Sequence, residues 1–361
     1  MTRICLLVLI LMSTNSFAQE LWGHLAPGQY SVGFKVIRER DHARNARPMQ
    51  VSLWYPSASP TAGEQVLFKD YLAAGIINQS FSQPSENEKT LAYDDFHKTL
   101  ERPFIYGSKI PDAAYYHVLD LPTAAKWSIP EADRKFPAVV MSSEPESLSV
   151  TAEYLASNGF VVAAVNAPYG GIQPPDSLLW VQPTEDIVWL VSYIAKLKNV
   201  DNTKITALGF GGGIQSPFYL AMKTDQIKAL VNLEGGVFGP RSLTDKSVDY
   251  DPTKMKTPML HIVTRAQQSE DDVRQQQALV NAKLYRAMIQ SEGLRHHDFS
   301  IFGRVLNKGL RMRGDLSDIA DQTYVNAHKM ILEFLSLAVA GKAASFPVDR
   351  RYMPFISISP E

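Results

Sequence analysis

From Phe136 onward the chain alternates short, unbroken apolar runs with amphipathic stretches, and this alternation restricts the fold more than any other feature. Pro137-Ala-Val-Val-Met141, Phe160-Val-Val-Ala-Ala-Val165, Ile205 to Leu208, Ala229 to Leu233 and Met259 to Val263 show no polar face. Strands of that kind are covered on both sides, as in a parallel sheet. Between and after them lie helical patterns. One runs from Ser149 to Asn158 and stops at Gly159. A second starts at about Thr184, with Glu185 and Asp186 in its positive first turn. Ile187, Leu190, Val191, Ile194 and Leu197 share one of its faces, and Lys196 and Lys198 lie near its end. A third spans roughly Gln322 to Ala340 and is closed by Gly341. The pattern predicts an α/β fold whose mostly parallel central sheet carries helices on both faces.

Ahead of this core, Tyr30, Val32, Phe34 and Val36 recur at period two, and Met49, Val51 and Leu53 do the same before Tyr55-Pro56. They predict two antiparallel opening strands. The texture then changes to Pro, Ser and charged residues around apolar stretches at Tyr71 to Ile77 and Leu91 to Leu100. We expect a largely helical insertion at about 57–135, serving either as extra core helices or as a lid over a pocket.

Arg3, the apolar run Ile4 to Met12 and the small-residue exit Ser16-Phe17-Ala18 read as a signal peptide over 1–18, cleaved before Gln19. The expected mature chain, 19–361, is one domain that is periplasmic or secreted. Cys5, the single cysteine, falls within that leader, so neither a disulfide, a lipid anchor nor a thiol nucleophile is expected in the mature chain. Lys and Arg number 36 against 37 Asp and Glu, for a net charge of −1, which leaves no field to attract nucleic acid. No later apolar run has the roughly 20 residues a transmembrane span needs. The sequence carries no cofactor motif. His296-His297-Asp298 lacks metal-ligand spacing, so no metal is expected either.

The chemistry concentrates at Lys204-Ile-Thr-Ala-Leu-Gly-Phe-Gly-Gly-Gly-Ile-Gln215, a strand, a glycine-dense turn and a helical segment. A nucleophile elbow, Gly-x-Ser-x-Gly, turns a strand into a helix in this way and lifts the serine oxygen clear of the sheet. Here the pattern reads Gly209-Phe210-Gly211-Gly212-Gly213. The outer glycines suit a place where strand and helix pass closely, but the central residue has no oxygen.

Together with Tyr30-Ser-Val-Gly-Phe34, Val51-Ser-Leu-Trp-Tyr-Pro56, Phe136 to Ser142, Leu155 to Val165, Lys228 to Gly236 and His296-His-Asp-Phe299, this order of motifs resembles the exported α/β-hydrolases of the platelet-activating-factor acetylhydrolase and dienelactone-hydrolase-like group. The resemblance implies an α/β-hydrolase fold and a carboxylic ester or lipid-like ligand. It departs from the family at the reacting centre. Phe210-Gly211 replaces His-Ser, Ser142-Ser143-Glu144 replaces Ser-His-Gly near the oxyanion hole, and Leu233-Glu234-Gly235 replaces Leu-Asp-Gly.

A serine hydrolase needs an attacking oxygen, a histidine to move its proton and an acid to orient that histidine. Glycine cannot attack, and a carboxylate at Glu144 pointing inward would oppose the charge that an oxyanion hole stabilises. His296, three residues before Phe299, matches the family base; His297 is its neighbour and alternative. Glu234 is the matching acid, with Glu270, Asp271 and Asp272 as the fallback. Ser142 and Ser143 read as turn serines rather than relocated nucleophiles. Ser216 lies too far into the helix, and His261, His328, Trp180 and Trp189 read as structural. The sequence thus favours a catalytically impaired or non-catalytic relative, a pseudoenzyme. The alternative is an active ester hydrolase that uses a water or a relocated nucleophile with His296, and a third reading is a purely structural or interaction protein whose pocket is filled by the insertion.

Overall fold

The computed structural model describes residues 20–59, 63–166, 175–237, 246–264, 281–289, 295–347 and 356–360. The expected signal peptide and the fallback acids Glu270, Asp271 and Asp272 lie outside them. Strands β1 (Ser31–Asp41) and β2 (Arg47–Ser57) pair antiparallel from Ser31 opposite Ser57 to Asp41 opposite Arg47. Next come β3 (Gln65–Leu67), α1 (Phe68–Ala74), α2 (Glu86–Leu100), α3 (Asp112–Leu119) and β4 (Pro122–Trp127). Between 57 and 135 the described residues form three helices and also two strands, and β4 lies parallel to β1.

The alternating part follows as β5 (Phe136–Ser142), α4 (Ser149–Ser157), β6 (Val161–Asn166), α5 (Val181–Ile194), β7 (Val200–Phe210), α6 (Gln215–Lys223), β8 (Ile227–Leu233), β9 (Met259–Thr264) and β10 (Leu284–Ile289). Helices α7 (Ile301–Arg304) and α8 (Leu316–Val339) and strand β11 (Ile356–Pro360) complete the described elements.

The sheet is mixed. Its eleven described strands run in the order β11-β10-β9-β8-β7-β5-β6-β2-β1-β4-β3. The stretch from β6 through β5, β7, β8 and β9 to β10 is parallel, as is β1 with β4. Antiparallel pairs join β1 to β2, β2 to β6, β3 to β4 and β10 to β11. The expectation of a mostly parallel sheet thus holds in part: the middle and the β1–β4 pair are parallel, while the opening strands and both ends bring in antiparallel pairs. The pairing of β3 with β4 is irregular, its register shifting between Gln65 and Leu67.

The continuous apolar runs are explained by the two cores. Val139, Met141, Val162, Ala164, Leu208 and Val231 face one core with Leu155 of α4 and Ile331 and Phe334 of α8. Ala138, Val140, Val161, Ala163, Ile205 and Leu230 face the other with Ile187, Leu190 and Ile194 of α5 and Phe218 of α6. Successive residues of each strand enter opposite cores, so no polar position is left to mark a face.

Two helices begin before the sequence pattern predicts. Helix α5 starts at Val181 rather than Thr184, because Pro183 sits in the first turn, where no backbone N–H is required. Helix α8 starts at Leu316 rather than Gln322. Its first turns look solvated but bury Ser317, Ala320 and Asp321, and Asp321 pairs with Arg304 at 2.8 Å and Lys308 at 2.9 Å. Among the described residues, no helix is long and apolar enough to cross a membrane.

Candidate active site

Strands β5 and β7 are neighbours, and the connection from β5 runs to β6 on one side while that from β7 runs to β8 on the other. In α/β sheets a crevice opens at the carboxyl ends of the strands beside such a reversal. The carboxyl ends of β5, β7 and β8 carry Ser142, Phe210 and Leu233, so Ser143, Gly211 and Glu234 follow directly at one edge.

Gly211 turns the chain. Its φ is +53°, in the left-handed region that penalises any residue with a Cβ, and Gly211–Ile214 form a 3-10 turn leading into α6. A Cβ at Gly213 would stand 2.8 Å from the Ser142 carbonyl oxygen, and one at Gly209 would meet the Ile214 backbone. Strand and helix therefore leave no side-chain space at the flanking glycines. At Gly211 a Cβ would meet only the imidazole of His296, 3.0 Å from Nε2 and 3.2 Å from Cε1.

His296 opens a 3-10 turn, His296–Phe299. Its ring stacks on Phe210 with centroids 4.5 Å apart and planes at 19°. The Nδ1 atom lies 3.6 Å from Glu234 Oε2, beyond hydrogen-bond length, and makes no hydrogen bond elsewhere among the described residues. Stacking rather than hydrogen bonding thus holds the ring between residue 211 and the acid.

Glu234 is more firmly held. Its buried carboxylate accepts from the Thr264 backbone N–H and, at 3.3 Å, from the Thr264 hydroxyl. Its own backbone has φ +55°, uncommon for a non-glycine residue. The buried Asn232 amide spans this turn, accepting from Gly235 N at 2.8 Å and donating to Gly235 O at 3.1 Å. Gly211, Glu234 and His296 are thus brought together from two strand ends and a distant turn.

Asp298 belongs to the scaffold of that turn. It accepts from Arg295 N at 2.7 Å and Asn307 Nδ2 at 2.8 Å, and it pairs with Arg313. His297 points its ring at Phe302, 5.6 Å away and edge-on, and burial followed by the neighbouring His296 pushes its pKa down to about 4. It is therefore neutral at pH 7 and forms a weakly polar wall. Gly211, Gly212, Glu234, His296, His297 and the exposed Phe104 line a cleft of about 470 Å³. Phe104 comes from the stretch between α2 and α3, while Arg295 at the rim donates to the Ile105 carbonyl at 3.0 Å.

Ser142, Ser143 and Ser216 line a different cavity of about 170 Å³, with Trp180, Arg47 and Asp186, and none of the three borders the His296 cleft. Gly212 separates the two spaces and borders both. Glu144 is exposed and also stands outside the His296 cleft. Trp189 stacks on Tyr193 at 5.1 Å. His261 is buried in β9. His328 bonds Thr151 Oγ1 at 2.7 Å and the Tyr324 carbonyl at 2.8 Å, and burial lowers its pKa to about 3. Sequence reasoning missed Asn232, Thr264 and Phe104. The Asn-x-x-Gly spacing of a side-chain-braced turn could have flagged Asn232; nothing in sequence places Phe104 opposite His297.

No family model matches this chain. Over 105 residues it is 31% identical to the protein described as "Uncharacterized protein YcjY" of Escherichia coli (strain K12), an alignment covering 27% of this chain. The chain spans about a third of that relative's length, 34%. Among solved structures, it is similar to a ferulic acid esterase from Streptomyces cinnamoneus, with a TM-score of 0.61 and 15% identity over 93% of this chain and 98% of that one. At that identity the likeness establishes the fold, which is of the α/β-hydrolase type.

Proposed function

We propose that this chain is a non-catalytic member of the platelet-activating-factor acetylhydrolase and dienelactone-hydrolase-like group, exported by its leader, which binds a small ester or lipid-like ligand beside a nucleophile elbow that has lost its serine. The observation that carries this reading is the approach of 3.0 Å between a Cβ at Gly211 and His296 Nε2. A serine there would place its hydroxyl beside the imidazole that must take its proton, with Glu234 behind that imidazole. Glycine leaves the acid and the imidazole with no hydroxyl to activate. In this reading the segment 57–135 is an insertion that contributes Phe104 to the ligand cleft.

The test is p-nitrophenyl acetate turnover by the wild type, Gly211→Ser and Gly211→Ser/His296→Ala. The wild type should stay at the level of buffer, and a fluorophosphonate should leave it unlabelled. The serine variant should gain turnover of about 10²-fold or more, because a positioned base alone contributes on that order, and the added His296 change should remove the gain. Specific labelling of the wild type by the fluorophosphonate would overturn the proposal.

A second reading, hydrolysis by a water held over Gly211 and activated by His296, is favoured by one observation: the Glu234–His296 pair faces the open cleft. It requires wild-type turnover that falls to background in His296→Ala.

A further inference from the structure

The cavity of about 170 Å³ beside the elbow is a polar space that the chemistry at residue 211 does not use. It lies where the carboxyl ends of β5 and β6 meet the first turns of α5 and α6, and it is far larger than one water molecule requires. Ser216 is its most informative member. The residue is only 2% exposed, yet its hydroxyl makes no hydrogen bond among the described residues and is not sealed into the core, so it opens into the cavity. A buried hydroxyl left unbonded is costly, and its place in a cavity wall suits a ligand that supplies the partner.

Other polar atoms of the lining are also left over. The Ser142 hydroxyl, at the end of β5, makes no hydrogen bond among the described residues. Arg47 donates Nε and Nη2 to Asp186 at 2.8 Å each, which leaves Nη1 to donate elsewhere. Asn166 donates Nδ2 to the Gly75 carbonyl at 3.0 Å, which leaves Oδ1 to accept. The charges, by contrast, close on one another. Asp186 pairs with Arg44 at 2.8 Å as well as with Arg47, and Arg44 is held in turn by Asp41 at 2.6 Å. Arg47 therefore offers a hydrogen bond without an uncompensated charge.

We propose that this cavity binds a neutral, polyhydroxylated molecule, a polyol or a single sugar ring, whose hydroxyls bond Ser142, Ser216, Arg47 and Asn166 while its C–H face lies on the Trp180 indole. The mixture of donors and acceptors selects the class. An anion needs donors throughout and meets Asn166 Oδ1 and the exposed Glu144. A cation needs acceptors throughout and meets the Arg47 guanidinium. A hydroxyl donates and accepts at once, so a set of them satisfies both kinds of partner. The Trp180 Nε1 atom is closed off from solvent, so this residue meets the cavity with carbon, which suits the apolar face of a sugar ring.

The experiment is saturation-transfer NMR titration of the full chain with D-xylose, and with tetrahydropyran as the same ring without hydroxyls. D-Xylose should bind saturably, and tetrahydropyran at least about tenfold more weakly, because each lost hydrogen bond is worth about threefold to tenfold. Ser216→Ala should lose about threefold to tenfold in xylose affinity, in a protein that still unfolds cooperatively. Ser216 does not border the His296 cleft, so that loss assigns the sugar to this cavity. Xylose should change the tryptophan emission of the wild type but not that of Trp180→Phe. Any of four results would overturn the proposal: no saturable xylose binding, which would mean that the cavity holds solvent only; equal affinity for the two rings; preference for cyclohexylamine over xylose; or unchanged xylose affinity in Ser216→Ala.

Discussion

Gly211→Ala isolates the backbone from the chemistry at the elbow. A left-handed φ of +53° costs a residue with a Cβ about 1–2 kcal/mol, of which about 0.4–1 kcal/mol is offset by the reduced freedom of the unfolded chain. The new methyl would also stand 3.0 Å from His296 Nε2, closer than van der Waals contact, so the ring must give by a few tenths of an ångström. Phe210 holds that ring at 4.5 Å on one face, and moving it off its rotamer adds about 0.5–1 kcal/mol. The sum is a loss of about 1–2 kcal/mol, read as a lower urea midpoint with an unchanged slope. In a His296→Ala background the backbone part persists while the contact vanishes, so the loss should shrink by about 0.5–1 kcal/mol. A Gly211→Ala protein as stable as the wild type would refute the left-handed turn. Equal losses in both backgrounds would refute the placement of the ring over residue 211.

Two further stability predictions concern buried charge. Asp321→Ala leaves Arg304, which is 1% exposed, and Lys308 without their shared carboxylate, and should cost about 3–5 kcal/mol in urea unfolding; a loss of less than about 1 kcal/mol would show that the cluster is not what fixes the start of α8. Glu146 has a folded pKa of about 8 against 4.5 for the ordinary carboxyl, so the folded chain holds a proton that the unfolded chain has released between those values. Its protonated form therefore contributes stability in full below about pH 4.5 and loses it as pH rises towards 8. Glu146→Gln should accordingly gain on the wild type, by up to a few kcal/mol, as unfolding is measured from pH 5 to pH 8, and parallel pH curves for the two proteins would count against a buried acid.

The middle of the sheet was legible because strands buried on both faces leave an apolar run of a distinctive length. Strands β3 and β4 were not, since Gln65-Val-Leu67 is very short and Pro122-Thr-Ala-Ala-Lys-Trp127 mixes residue types that mark no period. The early start of α8 was hidden for a related reason: Asp321 looks like a solvated residue until its partners Arg304 and Lys308 are known. At the cleft, residues 211, 234 and 296 could be nominated from motif order. The left-handed backbone of Glu234, the Asn232 brace and the stacking of Phe210 on His296 arise only when distant segments meet.

The uneven pairing of β3 with β4 matters for how the molecule behaves in a crowded solution. An outermost strand with a long, regular row of free amides and carbonyls invites another chain to add on and grow a fibre. Here that border is three residues long and out of step, and the Gln65 side chain turns back to donate to the Thr123 and Ala125 carbonyls at 2.7 Å each. On this side, self-association through strand addition meets a border too brief and too irregular to act as a template.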